Sequence, residues 1–521
     1  MRGIRLTRKD VLTMPIFPRS RKPSRRIFLD IIAVIIIAMM ALAPPQAKVN
    51  AQGESPWAPD QRIPGYVDDT YTPVLVADNN GMVHAFASQR SGDGNPVGVV
   101  YRTWSLETGW TSPVDILLAP REDAAVQSAF LDSFGIMHVV FFGSDLGGAD
   151  IYYSRAPVGS ADSSQAWSAP TVIGDSAIQP SYAVLSGDGV GNLVVIYTGN
   201  VDGSGVYSAS SSDSGASWSK PTPVFLVDNP DFFPFSLRLS PGQDGTFHAA
   251  WSVVTSRGVD ISVHYARFDL KTSEWTTPVT LAEKPPGQGD YFGPSFPSVV
   301  DNGNEVIVMY NNGNPSPTQR AGIGRPVQMV SVSNDNGETW NPPTVPFINL
   351  EGRSGEHIIV QDSDHVVHAL FVQRTAGGKE VLGGIWQSDY KNGFWSDPYR
   401  FVPTWDAHDL HAVVSQGNVL LMVWRVDPGI GTKGIWFSYK LLDSKVEPLQ
   451  PYPTRELDAV ATENPLFDIL PTATLTPIPA DILKQPLVGT RNPGTSLGIG
   501  LLLAILVLGI VLVRFAVMRN R

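Results

Sequence analysis

The chain has 521 residues, no cysteine and a formal net charge of −11 at pH 7. The lack of cysteine excludes disulfides, thiolate metal centres and cysteine nucleophiles. Once residues 1–51 and 514–521 are set aside, 25 basic and 47 acidic side chains remain, which disfavours nucleic acid and anionic lipid as partners. The length suits one large β domain without a second of comparable size.

The first 51 residues have the order of an export signal. Most of their basic residues precede the apolar run 31–43, and a Val-Asn-Ala sequence ends at Ala51. The stretch SRRIFL, from Ser24 to Leu29, is similar to the twin-arginine export signal, with Asp30 where a lysine is usual. We therefore predict a signal peptide over 1–51 of a bacterial protein. The twin-arginine and ordinary secretory routes both stay open.

A tryptophan that is soon followed by proline recurs through residues 52–445. Seven such phrases spread over these residues give a repeat of the length that is typical of a β-propeller, which has one four-stranded blade per repeat. The tryptophans of the repeat are Trp57, Trp110, Trp167, Trp218, Trp275, Trp340 and Trp395.

A second phrase, a turn followed by an apolar run as in 81–86, also occurs seven times and predicts strands covered on both faces. The last repeat has three strand-like runs but no tryptophan phrase after them, whereas Trp57 precedes the first strand. We therefore predict an all-β, seven-bladed β-propeller whose N-terminal segment supplies the outer strand of the seventh blade. For the first blade the predicted strands are 73–77, 81–86, 99–105 and 110–116.

Two repeats share the phrase S-x-D-x-G-x-[ST]-W in the turn before the last strand. Its aspartate can accept hydrogen bonds from turn amides, its glycine permits a left-handed backbone, and its tryptophan fills the gap beside the next sheet. The residues are Ser211, Asp213, Gly215 and Trp218 in one copy, and Ser333, Asp335, Gly337 and Trp340 in the other.

These phrases resemble the Asp-box, or BNR, repeat, and residues 55–445 resemble the sialidase-like Asp-box propellers. The resemblance implies a structural role for the motif, at the blade periphery and away from any active site. It also offers a six-bladed, sialidase-type propeller as the alternative to seven blades. In that family a carboxylate-binding arginine stands in an Arg-Ile-Pro phrase. Arg62-Ile63-Pro64 has the same letters but falls in the predicted closing strand.

The loops at one face of a propeller are the usual place for a ligand. In this chain the loops that enter each blade carry acids and aromatic rings, and the loops after the second strands carry arginines. Such groups suit sugar binding, paired carboxylates suit glycoside hydrolysis, and arginines suit a bound carboxylate. The catalytic residues stay unknown. The candidate ligand-binding residues are Asp68, Asp69, Tyr71, Arg90, Asp290, Tyr291, Arg374, Trp405, Asp406, His408 and Arg425.

Four histidines occupy one position of the repeat, which predicts a packing or hydrogen-bonding role; they are His84, His138, His248 and His368. No metal site and no cofactor is predicted. Acidic loops could attract Ca²⁺, but no ordered D-x-D-x-D-G loop is present.

The C-terminal part predicts an anchor. Residues 446–494 are rich in Pro and Thr, as in an extended stalk, and 495–515 contain a long apolar run that predicts a membrane-spanning helix before a cytoplasmic tail, 516–521. The sequence thus favours a membrane-anchored surface propeller that binds a glycan or protein through its loop face. A sialidase-like exo-glycoside hydrolase and a scaffold for a membrane complex are the alternatives.

Overall fold

The computed structural model describes residues 56–452, except 69, 93–94, 121–122, 146–147, 177–181, 288–290, 316–323, 375–382, 405–406 and 427–433. Several predictions lie outside these residues: the signal peptide 1–51, the stalk from 453 onward, the helix 495–515, the tail 516–521, and the candidates Asp69, Asp290, Trp405 and Asp406. Among the described residues, no helix combines the length and the apolar composition that crossing a bilayer requires.

The described strands form seven antiparallel sheets, the blades, which we number 1 to 7 in chain order. Within a blade the strands a, b, c and d follow one another and pair with their neighbours. In blades 1, 4 and 6 strand d is divided into two short pieces, and in blade 5 it is reduced to the bridge between Val330 and Thr344. The seven blades confirm the predicted count, so the six-bladed alternative is wrong.

The strands of blades 1 to 3 are Val74–Ala77, Val83–Arg90, Val97–Ser105, Gly109–Trp110 and Val114–Leu117; Ala124–Leu131, Ile136–Asp145, Gly148–Pro157 and Thr171–Ser176; Ala183–Gly187, Leu193–Gly199, Gly205–Ser211 and Thr222–Leu226. Those of blades 4 and 5 are Phe232–Pro241, Thr246–Thr255, Asp260–Asp269, Glu274–Trp275 and Val279–Glu283; Ser295–Asp301, Val306–Gly313 and Pro326–Ser333. Those of blades 6 and 7 are Arg353–Gln361, Val367–Arg374, Gly384–Lys391, Phe394–Trp395 and Tyr399–Val402; Ala407–Ser415, Val419–Val426, Gly434–Leu441 and Gln61–Arg62. Three one-turn 3₁₀ helices are Val158–Ser160, Ser164–Ala166 and Gln243–Gly245.

The ring closes through the N-terminal segment, as the sequence predicts. Gln61 and Arg62 pair with the third strand of blade 7, and Trp57 bridges Lys440 of the same strand. The amide of Ile63 donates to Ile435 O at 2.8 Å. Because these bonds join the two ends of the propeller, they remove the open sheet edge that blade 7 would otherwise expose.

The seven a strands contact one another in cyclic order and form the inner ring of the propeller. The apolar core lies between blades rather than within one. One cluster joins Tyr153 of blade 2 to Leu193 of blade 3, and another joins Trp57 to Leu370 of blade 6 and Trp424 of blade 7. Each blade therefore buries its apolar faces only when both neighbours are in place.

Three of the four periodic histidines make one repeated contact, which confirms their predicted hydrogen-bonding role. Nδ1 of each ring meets a tyrosine hydroxyl on strand c of its own blade, at 2.6–2.7 Å, and Nε2 faces an aspartate at 3.4–3.6 Å. The groups are His84 with Tyr101 and Asp78, His138 with Tyr153 and Asp132, and His248 with Tyr265 and Asp301. His368 has different partners.

The two S-x-D-x-G-x-[ST]-W turns are closed by their own side chains. Ser333 Oγ donates to Asp335 Oδ1 at 2.7 Å and accepts the Gly337 amide at 2.8 Å. Hydrogen bonds from the side chain and amide of Thr339, and from Ser333, lower the pKa of Asp335 to about 2. The copy at Ser211 has the same bonds. In both copies these residues build the turn.

The turn glycines receive the tyrosines of the preceding blade. The Tyr265 hydroxyl lies where a Cβ of Gly337 would stand, and its ring packs edge-on against Trp340 at 4.7 Å. Tyr153 lies against Gly215 and Trp218 in the same way. The glycine is thus required twice, for its positive φ and for the tyrosine that occupies its side-chain space.

Residues 442–452 run along the face formed by the a–b turns. The amides of Leu442, Glu447 and Gln450 donate to carbonyls in the turns of blade 7 and blade 1. The Tyr452 hydroxyl accepts the Asn79 amide at 3.0 Å. The first seven residues of the predicted stalk, 446–452, therefore lie against the propeller.

We expect Gly337→Ala to destabilise the protein by more than Gly393→Ala. Both glycines have a positive φ, +82° and +84°, but a Cβ at Gly393 meets nothing within 4 Å. Both variants carry the backbone cost of about 1–2 kcal/mol, and Gly337→Ala adds an overpacking cost of about 1–3 kcal/mol. Chemical denaturation of the two variants measures the difference, and equal losses would contradict the tyrosine contact.

Candidate functional site

A backbone bulge recurs near the start of strand a, at the end of the inner ring that carries the predicted ligand loops. In blades 4 to 7 strand a holds one more residue than the stretch of strand b that it faces. Pairing resumes at Arg238, Ser298, His357 and His411, respectively. Bulges of this kind re-aim side chains and are frequent beside active sites.

Three of these bulges place a non-glycine residue in the left-handed region. Ser236, Phe296 and Asp409 occupy the same position of the bulge in blades 4, 5 and 7, with φ of 52°, 51° and 50°. Such a conformation costs on the order of 1–3 kcal/mol per residue and persists only where the surroundings enforce it. The inner ring therefore stores backbone strain at one mouth of the propeller.

Arg238 is a half-buried cation without an acidic partner. Its Nη1 donates to Leu237 O at 3.0 Å, and no carboxylate of the described chain forms an ion pair with it. Burial lowers the pKa of its guanidinium, while the nearby Tyr182 and Glu356 raise it. A cation that is removed from water without a partner is costly, so Arg238 is a candidate to bind an anion. The sequence interpretation missed Arg238, although an arginine inside an apolar strand a was a usable signal.

Glu356 and Asp409 bring two carboxyl groups close together from blades 6 and 7. The Asp409 amide donates to Glu356 Oε2 at 2.5 Å. Burial raises the pKa of Glu356 and the Asp409 charge raises it further, against smaller opposing effects of the Asp409 amide, His408 and Arg374. Glu356 is half-buried and Asp409 is exposed. The pair thus has one carboxyl group whose pKa is raised beside one that faces solvent.

Four of the predicted candidates form a row across blades 6, 7 and 1. Arg374 Nη2 donates to His408 Nδ1 at 3.2 Å, and His408 stands opposite Arg425 in the pairing of strands a and b. The Arg425 guanidinium lies 5.4 Å from the centre of the exposed Tyr71 ring. Among the described residues neither arginine forms an ion pair with a carboxylate, and Arg374 Nε is buried without a hydrogen-bond partner.

Neutral imidazoles and aromatic rings lie on the same inner strands. Burial and, to a smaller extent, the positive charge of Arg238 lower the pKa of His357 and of His411 to about 4. The ring of Phe235 meets Tyr182 at 5.0 Å and Phe296 at 5.7 Å, edge to face in both pairs. The inner surface thus offers aromatic rings and uncharged imidazoles beside the unpaired arginine.

The other candidates have partners of their own. Asp68 pairs with Arg62 at 2.9 Å, and Arg90 pairs with Asp123 at 3.2 Å. Arg62 belongs to the closing strand, as its pairing with Trp436 shows. Tyr291 is half-buried, and its hydroxyl donates to Gly313 O.

A cavity of about 530 Å³ lies at the opposite face, among the a–b turns of blades 1 to 4 and Tyr452. Its acidic side chains serve the turns: Asp132 Oδ1 accepts two turn amides, and Asp188 Oδ1 accepts two more. The described residues contain no group of three or more His, Cys, Asp or Glu that could hold a metal ion. The arginines without a carboxylate partner in the described chain are therefore found at the loop face rather than in this cavity.

The fold and the site define the class of this chain: a seven-bladed β-propeller with arginine, carboxyl and imidazole groups at its loop-face mouth. No protein-family profile and no curated protein matches it. Solved structures are similar to it at low identity. A protein of unknown function from Dyadobacter fermentans shares 14% identity over 74% of this chain and 98% of its own, with a TM-score of 0.45.

Two of the other similar structures are glycan-acting enzymes. An ulvan lyase shares 13% identity over 72% of this chain and 95% of its own, with a TM-score of 0.46. The NanB sialidase from Streptococcus pneumoniae shares 11% identity over 67% of this chain and 71% of its own, with a TM-score of 0.39. At these values the likeness leaves the function of this chain open.

We expect Glu356→Gln to raise the thermal stability relative to the wild type by an amount that grows as pH rises from 4 to 7.5. Because the pKa of Glu356 is raised in the folded state, its contribution to stability is full below the ordinary glutamate pKa and is lost as pH rises through the folded value. Glutamine has no such titration. Thermal unfolding at several pH values measures the difference in stability between Glu356→Gln and the wild type. Glu107→Gln is the control, because Glu107 is exposed. A gap that does not grow with pH would contradict the raised pKa.

Proposed function

We propose that this propeller binds a carboxylated glycan at its loop-face mouth. The observation that carries the proposal is the set of arginines without a carboxylate partner in the described chain, Arg238, Arg374 and Arg425. A guanidinium presents a planar fork that binds a carboxylate with two parallel hydrogen bonds. In a strongly acidic domain, three such cations on one face favour an anionic ligand group at that place.

The aromatic residues favour a sugar as the carrier of that carboxylate. Tyr71 stands exposed beside Arg425, and Phe235 and Phe296 lie on the inner strands that also carry Arg238. Apolar rings with a few placed polar groups are the usual lining of a site for a small ligand. The ring faces can cover the C–H surface of a sugar while the arginines hold its carboxylate.

The pair of Glu356 and Asp409 supports a second candidate function, hydrolysis of the bound glycan. Two carboxyl groups, one of which keeps its proton near neutral pH, are the usual requirement of a glycoside hydrolase. Glu356 is the candidate acid because burial and Asp409 raise its pKa. The resemblance of the repeats to sialidase-like Asp-box propellers is in keeping with this candidate.

On a glycan array we expect the wild type to bind carboxylated oligosaccharides and to leave neutral ones unbound. Arg238→Gln and Arg374→Gln should each weaken binding about 10- to 100-fold, because a hydrogen bond to a charged group contributes about 1.5–3 kcal/mol. Arg90→Gln is the matched control, since Arg90 pairs with Asp123. Equal binding of neutral glycans, or unchanged binding in Arg238→Gln, would contradict the proposal.

The oligosaccharides that bind can be analysed for cleavage in the same experiment. Hydrolysis by the wild type, lost in Glu356→Gln while binding is retained, would favour the hydrolase. Binding without cleavage would leave the chain a glycan-binding protein. No binding by the folded chain would refute both functions at this site.

We further propose that the propeller is held outside the cell by the C-terminal apolar segment. The predicted signal peptide 1–51, the predicted stalk 446–494 and the apolar run in 495–515, predicted to form a helix, support this arrangement. We expect truncation before Leu497 to release the protein from the membrane fraction, whereas the full chain stays in it. A truncated chain that remains in the membrane fraction would mean that another segment anchors it.

A further inference from the structure

His368 differs from the other three periodic histidines in its partners. Its Nδ1 lies 2.7 Å from Asp389 Oδ1 and its Nε2 lies 3.2 Å from Asp362 Oδ2. Ionised carboxylates only accept hydrogen bonds, so both ring nitrogens must donate and the imidazole must carry a charge. In the other three groups a tyrosine hydroxyl, which can donate or accept, stands at Nδ1 in place of Asp389.

Asp389 is connected to the closing strand through Gln387. The Gln387 amide nitrogen donates to Asp389 Oδ1 at 2.6 Å, which leaves its Oε1 to accept. Trp57 Nε1 donates to that oxygen at 2.7 Å, and Tyr399 OH donates to it as well. The order Asp362, His368, Asp389, Gln387 and Trp57 is thus a continuous relay from blade 6 to the segment that closes the ring.

The relay is found where the ring closes. Among the described residues, the buried indole nitrogens of the corresponding Trp110, Trp218, Trp275 and Trp340 have no hydrogen-bond partner. Trp57 has one, and it also stacks on Phe401 with 4.1 Å between ring centres. The edge of blade 7, where no chain turn joins strand c to the closing strand, therefore has a polar contact that these four tryptophans lack, whereas Trp167 donates to Ala161 O at 3.0 Å.

We propose that His368 is a pH-dependent latch on ring closure. While it is protonated, His368 holds Asp389 and Gln387 in the arrangement that binds Trp57. When it loses its proton, one of the two aspartates loses its hydrogen bond while it remains buried or half-buried, and the closing strand loosens.

The charged groups around the latch set the direction of the pH effect. Burial lowers the pKa of His368, but Asp362 and Asp389 outweigh it and the pKa is raised. The stabilisation is therefore full below the ordinary histidine value of about 6.5 and is lost as pH rises through the raised value. Burial would raise the pKa of both aspartates, but His368 outweighs it and lowers them, so their contribution is lost only in strong acid.

Two further groups face the relay from other elements. Lys440, on strand c of blade 7, lies 3.1 Å from Tyr399 OH and 3.5 Å from Gln387 Oε1. Burial lowers the pKa of Lys440, so loss of its proton favours the folded state as pH rises. This effect has the opposite sign to that of His368, and a His368 variant separates the two. Ser444 of the C-terminal segment, whose hydroxyl donates to Gly417 O at 2.9 Å, contributes to the lowered pKa of Asp362 and does not titrate.

Hydrogen–deuterium exchange of the full chain between pH 5 and 9 tests the latch. After correction for the intrinsic exchange rate, we expect the protection of residues 57–63 to fall with rising pH, by up to about tenfold per pH unit for one proton. Strand d of blade 3, Thr222–Leu226, is the internal reference and should not follow. His368→Gln should abolish the fall in protection and leave only the opposite effect of Lys440, whereas His138→Gln, at the same position of blade 2, should keep the fall.

Flat protection of 57–63 in the wild type, or an unchanged fall in His368→Gln, would overturn the latch. If His368→Gln fails to fold by circular dichroism, Asp389→Asn decides. This variant removes one of the two carboxylate charges that keep His368 protonated, so the fall in the protection of residues 57–63 should move to lower pH. A fall at the wild-type pH in folded Asp389→Asn would also overturn the proposal.

Discussion

The structure depends on one constraint: seven blades must close into a ring whose two ends are not joined by the chain. A strand of only two residues, Gln61 and Arg62, makes the outer edge of blade 7, and Trp57 fills the space beside blade 6. The backbone pairing is short, so burial of the tryptophan and its hydrogen bond to Gln387 carry much of the closure. Because the apolar clusters lie between blades, a loose junction would expose the faces of two blades at once.

The junctions between blades follow one chemical plan with local changes. In three blades a histidine orients a strand c tyrosine, and in two of them this tyrosine packs against a tryptophan and a turn glycine of the next blade. Blade 6 has Gln387 and Asp389 near the histidine instead of that tyrosine. The exchange of a neutral contact for a charged one lies beside blade 7, where no chain turn joins the third strand to the closing strand.

The two faces of the ring divide stability from recognition. At the a–b turn face, aspartates satisfy turn amides and residues 442–452 bond to the turns of two blades. At the loop face, Glu356 is held with a raised pKa, and Arg238 lacks a counter-ion in the described chain. Uncompensated charge reduces stability, and proteins keep it mainly where a ligand or a reaction uses it.

The fold could be predicted from the sequence because the same repeat occurs in each blade. Each tryptophan phrase and each strand b run marks a blade, so no single phrase had to be interpreted alone. The missing last strand, together with a Trp57 phrase that precedes the first strand, revealed the closure. The strand limits of blade 1 differ from the prediction by a few residues at most, except that strand b runs on to Arg90. The row of Tyr71, Arg374, His408 and Arg425 was also within reach of sequence, because loop position follows from strand order.

The inner cluster was decided only by tertiary structure. Arg238 and Glu356 are separated by more than a hundred residues, and the bulges that set their surroundings leave no pattern in sequence, since Ser236, Phe296 and Asp409 share no chemistry. A pKa depends on burial and on neighbouring charges, which exist only once the blades are assembled. Sequence alone therefore determined which strands form and how the ring closes. The packing of the inner strands decided which charges face one another, because that depends on a one-residue bulge in each strand.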